Sequence, residues 1–202
     1  MSLIKNCFMG ILSCDKYQDR RSSQDLTNCI FDYMYFIGNP TLDQPIVKDN
    51  VVILPCGDNY EDLPIKTKLM LKWVLDNKPD IDYVFKTDDD IKFNFTNLYE
   101  NFRDVSLNKM DYSGRLVINN GYESSYHQGK CESDINDKII YVDKADYCSG
   151  GGYFLSRKSA EIIINTEIGE NVVYEDHFVG KTLRDNSIFP QNINLHNISC
   201  FW

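Results

Sequence analysis

The run Tyr83-Val84-Phe85-Lys86-Thr87-Asp88-Asp89-Asp90 constrains this chain more than any other stretch. Residues 81–85 read as a short apolar strand, and three consecutive aspartates follow just past its end. Adjacent carboxylates repel one another, so a fold gains nothing by clustering them at a strand end. A hard divalent cation reverses that balance, because Mg²⁺ and Mn²⁺ prefer oxygen ligands. In open α/β sheets, ligands bind beyond the carboxyl ends of the strands, where these aspartates would sit. The run therefore points to a metal site that holds a phosphorylated substrate. Acidic triplets also occur in solvated loops, so the reading needs support from the rest of the chain. An EF-hand loop starting at Asp89 fails, since Ile91 and Asn94 stand where a ligand and a glycine are required.

The surrounding pattern is α/β. Strands are expected at Cys7–Leu12, 33–37, Val51–Leu54 and 81–85. Between the last two, residues 62–77 change period. Ile65, Leu69, Trp73 and Asp76 fall on one side, with Met70 and Val74 beside them, which predicts a helix capped by Asp62 with Pro64 in its first turn. Strand, helix, strand of this length implies a βαβ crossover and a parallel pairing. Further on, 113–118 and 138–142 read as strands and the polar, tyrosine-bearing 119–137 as a loop. Gly150-Gly151-Gly152 reads as a turn or bulge needing positive φ, or as a place where backbone approaches a ligand. A helix Arg157–Asn165 capped by Ser156 and another following Glu175-Asp176 complete an α/β fold with antiparallel additions on the C-terminal side.

No repeat or long linker divides the 202 residues, so one domain is expected over 1–202, in two halves of about 1–90 and about 91–202. A formal charge of −9 without a basic stripe argues against nucleic acid as a partner. No segment approaches the roughly 18 apolar residues of a membrane span, and residues 1–13 lack a signal-peptide cleavage pattern. The seven cysteines are scattered, odd in number and without a C-x-x-C pair, which excludes a zinc framework and favours a reducing interior. Glycosylation acceptors occur at Asn94 and Asn197, and a glycan at Asn94 would crowd the acidic run.

Glu175-Asp176 reads either as helix-terminal acids or, for Asp176, as a general base that accepts the proton of an attacking hydroxyl. His127, His177 and His196 are the imidazoles available to a metal, and one of them beside the triplet would favour Mn²⁺ over Mg²⁺.

Taken in order, these pieces resemble the β-1,3-galactosyltransferase and fringe family of glycosyltransferases. Ile11-Leu12-Ser13, Arg20-Arg21 and Thr27 are similar to its opening strand and arginine segment, and Tyr35-Phe36-Ile37-Gly38 to its second strand. Asp58-Asn59-Tyr60-Glu61-Asp62-Leu63-Pro64-Ile65-Lys66-Thr67 resembles D-x-Y-x-N-L-x-x-K-T, with Asp62 in place of Asn. Asp88-Asp89-Asp90 corresponds to the D-D-D metal motif, 147–153 to Y-x-x-G-x-G-Y, and 175–180 to E-D-V-x-x-G, with His177 where the family has Val. The resemblance implies a GT-A fold, a mixed and mostly parallel sheet flanked by helices. It also implies inverting, Mn²⁺- or Mg²⁺-dependent transfer of galactose or an N-acetylhexosamine from a UDP-sugar to a glycan or glycoprotein hydroxyl, giving a β-1,3 linkage. Under it Asp90 and His196 hold the metal and Asp176 is the base. Asp88, Asp89, Arg20, Arg21, Lys66 and Ser13 bind the donor, while Gly150, Gly151, Gly152, Tyr153 and Glu175 shape the acceptor site. The chain as it stands reads as soluble and cytoplasmic, and as Golgi-luminal if an amino-terminal anchor precedes it. The competing classes are an inactive nucleotide-sugar- or carbohydrate-binding module, a metal-dependent nucleotide hydrolase and a calcium-stabilised interaction domain.

Overall fold

A computed structural model describes residues 5–92 and 94–195, and the backbone alone of 199–200. Along the chain run β1 (Cys7–Leu12), α1 (Gln18–Ser23), β2 (Asp32–Gly38), β3 (Ile46–Lys48), β4 (Val51–Leu54), α2 (Leu63–Asn77), β5 (Tyr83–Asp88), β6 (Ile91–Lys92), α3 (Phe95–Leu107), β7 (Tyr112–Val117), β8 (Tyr122–Ser124), β9 (Ile140–Val142), β10 (Tyr147–Ser156), α4 (Arg157–Asn165), α5 (Glu175–Asp185), β11 (Gln191–Asn192) and β12 (Ser199–Cys200).

An eight-stranded sheet in the order β11-β7-β10-β5-β1-β2-β4-β3 organises the fold. The strands β5, β1, β2 and β4 are mutually parallel, β11 runs parallel to β7, and β10 and β3 pair antiparallel with their neighbours. The expected mixed, mostly parallel sheet is present. The connection β4–α2–β5 is a crossover, as expected, but it passes over β2 and β1 rather than joining adjacent strands.

Alternation along the central strands splits the core in two. Phe8, Leu12, Phe36, Val52, Leu54 and Val84 face α2, α4 and α5, meeting Met70, Val74, Ile163 and Val179. Met9, Ile11, Tyr83 and Phe85 face the other way, against Leu98, Phe102 and Val105 of α3. Fully burying one such side chain contributes about 1.5–3 kcal/mol, so these faces outweigh any local propensity. In α2 the buried stripe is Lys66, Thr67, Met70, Leu71 and Val74, turned from the expected one, while Ile65, Leu69 and Trp73 are only partly covered. Asp62 does not cap α2 with its side chain. It accepts the Asn59 N–H at 2.9 Å and closes the 3-10 turn Tyr60–Asp62 ahead of the helix.

Two corrections concern the second half. The segment 119–137 is no plain loop, since it contains β8, which pairs with β9, and a 3-10 turn at Asp134–Asp137. The three glycines lie inside β10 with ordinary φ, so positive φ is not their reason. They occupy a register shift between Cys148 and Tyr153, which is the bulge form of the expectation. The six described cysteines are free thiols, and burial pushes those of Cys56 and Cys131 up to about 11. No helix among the described residues is long and apolar enough to cross a membrane.

Candidate active site

Parallel strands deliver their carboxyl ends to one edge of the sheet, and there β1, β5 and the loop after β4 enclose a cleft of about 410 Å³. Leu12 lies opposite Asp88 in the β1–β5 register, so Ser13 and the aspartate run leave the sheet together. Ser13 Oγ donates to Asp89 Oδ2 at 2.6 Å, and Arg21 Nη1 donates to Ser13 Oγ at 3.0 Å. Arg20 Nη1 reaches Asp89 at 3.4 Å and Asp90 at 3.8 Å, with its guanidinium stacked 3.7 Å from the Tyr17 ring centroid. On the facing wall, buried Lys66 donates to Asp58 Oδ1 at 2.6 Å and to the Ser13 carbonyl at 3.0 Å. Asp58 also accepts the N–H groups of Asp15 and Gly38, both at 2.6 Å, and so ties the ends of β1 and β2 to the loop after β4.

Burial holds the Asp89 carboxyl above the usual range, offset in part by Ser13 and Arg20. Burial also raises Asp90, reinforced by repulsion from Asp88 and Asp89. Among the described residues no three His, Cys, Asp or Glu side chains converge into a metal cage. What the cleft presents is hard oxygen: Asp88 and Asp90, with side chains 37% and 36% exposed at its mouth. One or two carboxylates completed by substrate phosphates is a common way to hold Mg²⁺, so the donor set fits a cation that arrives with a diphosphate. His196 lies outside the described residues.

A second network joins this cleft to the head of α5. Lys86, 1% exposed in the middle of β5, donates to Asp88 Oδ1 at 2.8 Å, the Gly150 carbonyl at 2.9 Å and Glu175 Oε2 at 2.8 Å. Burial alone would lower its pKa, but the Asp88 and Glu175 carboxylates outweigh burial and hold it above the lysine range. The Tyr153 hydroxyl donates to the other Glu175 oxygen. Asp176 accepts the Gly150 N–H at 3.1 Å and its neighbour's, His177, at 2.9 Å. Burial raises the Asp176 carboxyl, with Lys86 and these two N–H groups pulling it back. The β10 bulge makes this possible, because it turns the Gly150 and Gly151 carbonyls towards Lys86 and Thr87 while the Gly150 N–H faces Asp176. At Gly150 an added Cβ would stand 3.5 Å from Asp176 Oδ2.

The structure thus brings Ser13, Arg20, Lys66, Asp88, Asp89 and Asp90 to one cleft, and Gly150 beside Asp176. Arg21 stands behind Ser13 and the Cys14 carbonyl rather than on the cleft wall. Tyr153 is fully buried and Glu175 is 5% exposed, so neither can touch an acceptor. Their hydrogen bonds make them supports of Lys86. Gly152 is likewise buried in the sheet, which leaves Gly150 and Gly151 as the glycines near the opening. His127 is a buried structural residue bonded to Tyr174 and the Ile135 carbonyl, and His177 Nε2 bonds the Asp143 carbonyl at 2.8 Å. Sequence reasoning gave no role to Lys86 or Asp58. The available signal for Lys86 was a lysine within an otherwise apolar strand.

The galactosyltransferase family model matches residues 45–194, which takes in α2, the aspartate run, the glycine bulge and the head of α5. Among curated proteins, β-1,3-galactosyltransferase 1 of Homo sapiens and of Mus musculus are each 28% identical over 165 residues, covering 75% of this chain and 48% of theirs. The UDP-GalNAc:β-1,3-N-acetylgalactosaminyltransferase 1 of Homo sapiens is 27% identical over 158 residues, covering 76% of this chain and 47% of its own. The chain spans about half the length of these curated relatives. Among solved structures, A197 from STIV aligns with a TM-score of 0.46 at 14% identity, covering 98% of this chain and 86% of that one. With the family model covering most of the chain, the chain belongs to the galactosyltransferase family.

Proposed function

We propose that this chain is a hexosyltransferase that moves galactose or an N-acetylhexosamine from a UDP-sugar to a glycan or glycoprotein hydroxyl, with inversion and a β-1,3 linkage. One observation carries the reading. A single buried ammonium, that of Lys86, binds both Asp88 of the aspartate cleft and the Glu175-Gly150 pair that frames Asp176. Donor-side carboxylates and the candidate base therefore belong to one rigid network. The relatives support the chemistry, since their names specify β-1,3 transfer and, for one, a UDP-sugar.

In this reading Ser13, Arg20, Arg21, Lys66 and Asp89 shape the pocket for the nucleotide, and Asp88 and Asp90, with His196, are the residues that would hold Mn²⁺ or Mg²⁺. When bound, that cation supplies Lewis-acid neutralisation of the diphosphate. Asp176, ionised and aimed by two N–H groups, takes the proton of the acceptor hydroxyl. The hydroxyl oxygen forms a bond to the anomeric carbon as the bond from that carbon to the β-phosphate oxygen breaks, and UDP leaves with the electron pair. One displacement inverts the configuration. Glu175 cannot serve as a nucleophile for a two-step retaining route, because both of its oxygens are engaged in the interior.

Asp176→Asn tests the assignment. Transfer from UDP-sugar should fall about 10²–10⁴-fold, the usual contribution of a positioned base, with UDP affinity unchanged. Full transfer activity in the variant would remove Asp176 from the mechanism. Release of free sugar without acceptor dependence would instead favour a hydrolase.

A further inference from the structure

The segment 122–142 stands between donor cleft and base, and its tip carries a charge that the mechanism above leaves idle. Two anchors fix the segment. At one end Ser124 Oγ and His127 Nδ1 lie 2.7 and 3.0 Å from the Tyr174 hydroxyl, immediately before Glu175-Asp176. The second nitrogen of His127 is 2.8 Å from the Ile135 carbonyl, so it carries the proton and Nδ1 accepts from Tyr174. At the other end the Glu61 carboxylate, beside the donor cleft, accepts the N–H groups of Glu132 and Ser133 at 3.0 and 2.9 Å.

Between the anchors the backbone turns at Gly129, with φ of 77°, a conformation in the left-handed region that favours glycine. The Gly129 N–H donates to Asn136 Oδ1 at 2.7 Å, and the Lys130 N–H to the His127 carbonyl at 2.9 Å. Lys130 is thereby set on the wall of the same cleft as Asp88, Asp89 and Asp90. Its ammonium sits 3.2 Å from the ring centroid of Tyr126 and 5.3 Å from that of Tyr60.

Of the other cations lining the cleft, Lys66 is committed to Asp58 and Arg20 to Asp89 and Asp90, while Lys16 stands 5.6 Å from the Tyr17 ring centroid. Lys130 is held by aromatic faces and has no carboxylate partner among the described residues. Cation–π contact orients an ammonium while leaving N–H donors available. A diphosphate entering this cleft meets four aspartates, so each uncommitted cation on its wall counts.

We infer that Lys130 is a donor-phosphate ligand, its ammonium binding the diphosphate of the nucleoside diphosphate donor and offsetting the charge left on it when the sugar departs. This rests on the transferase reading and adds a residue from a segment that no family motif covered. The test is calorimetric titration of UDP and of uridine, each with Mn²⁺, into wild type, Lys130→Gln and Lys130→Arg. Lys130→Gln should bind UDP about tenfold more weakly, about 1.4 kcal/mol, with uridine affinity and melting temperature unchanged and Lys130→Arg close to wild type. UDP affinity in Lys130→Gln within twofold of wild type would overturn the assignment. An equal loss for uridine would also overturn it, since the segment and not a phosphate contact would then be at fault. Wild type that fails to bind UDP would instead remove the donor site itself, and Lys130 with it.

Discussion

At the residue scale the proposed chemistry turns on Asp176 as the base and on Lys86 as its support. Asp176 must be ionised to take a proton, and burial lifts its carboxyl above the ordinary aspartate value. Transfer should therefore be lost as pH falls through that raised value, and the acid limb of a kcat profile should lie above where a solvated aspartate titrates. A midpoint at the solvated value would contradict the buried-base account. Lys86 behaves in the opposite sense. Its folded pKa is raised, so its ion pairs contribute fully below the ordinary lysine value and are lost only as pH rises through the higher folded one. Lys86→Met would leave Glu175, 5% exposed, with the Tyr153 hydroxyl but without its ion-pair partner, at a cost of about 3–5 kcal/mol measurable by urea denaturation. A loss under 1 kcal/mol would show that the network does not hold the site together. The aspartates and Asp176 were legible in the sequence because acidic residues in short motifs announce themselves. Lys86 was not, because only the convergence of β5, β10 and α5 distinguishes a buried, triply bonded lysine from one on a strand edge.

Elements differ in how well local pattern foretells them. Cys7–Leu12, Val51–Leu54 and Arg157–Asn165 formed with the bounds their periodicity suggests, since each is an apolar run or amphipathic turn closed by its own signals. The Ser156 side chain accepts the Ser159 N–H, the cap expected of it. α3 went unread, although Asn94 caps it and Leu98, Phe102 and Val105 form its buried stripe, because polar residues dilute the pattern between them. The length of β10 was hidden by its glycines, whose place in a strand depends on a bulge against β7. The same closeness between elements makes a prediction at α5. A Cβ on Gly180 would collide with Tyr147 Cβ, at the start of β10, and come within 2.9 Å of the carbonyl of Asp146, the residue before it. Gly180→Ala should push α5 off the sheet, costing about 1–3 kcal/mol and lowering kcat more than UDP affinity, since α5 carries Asp176 and not the donor cleft. Unchanged melting temperature and kcat would mean that the helix does not hold Asp176 against the bulge.

For the whole molecule, strand order decides what the motifs mean. The sequence allowed a βαβ unit but could not say that α2 crosses two strands to put β5 beside β1, which is what joins Ser13 to Asp89. The cleft that results gathers Asp58, Asp88, Asp89 and Asp90 in a chain already carrying a formal charge of −9. Such a cleft should bind an anionic nucleotide only when a divalent cation comes with it. The direct measurement is calorimetric titration of UDP into the protein with Mn²⁺ and then with EDTA, repeated on Asp90→Asn. Binding that requires Mn²⁺ and disappears with EDTA and in Asp90→Asn is the expected result. UDP binding that is equal in EDTA, or absent in both conditions, would contradict the aspartate cleft as a nucleotide–metal site and reduce the transferase account to family membership and fold.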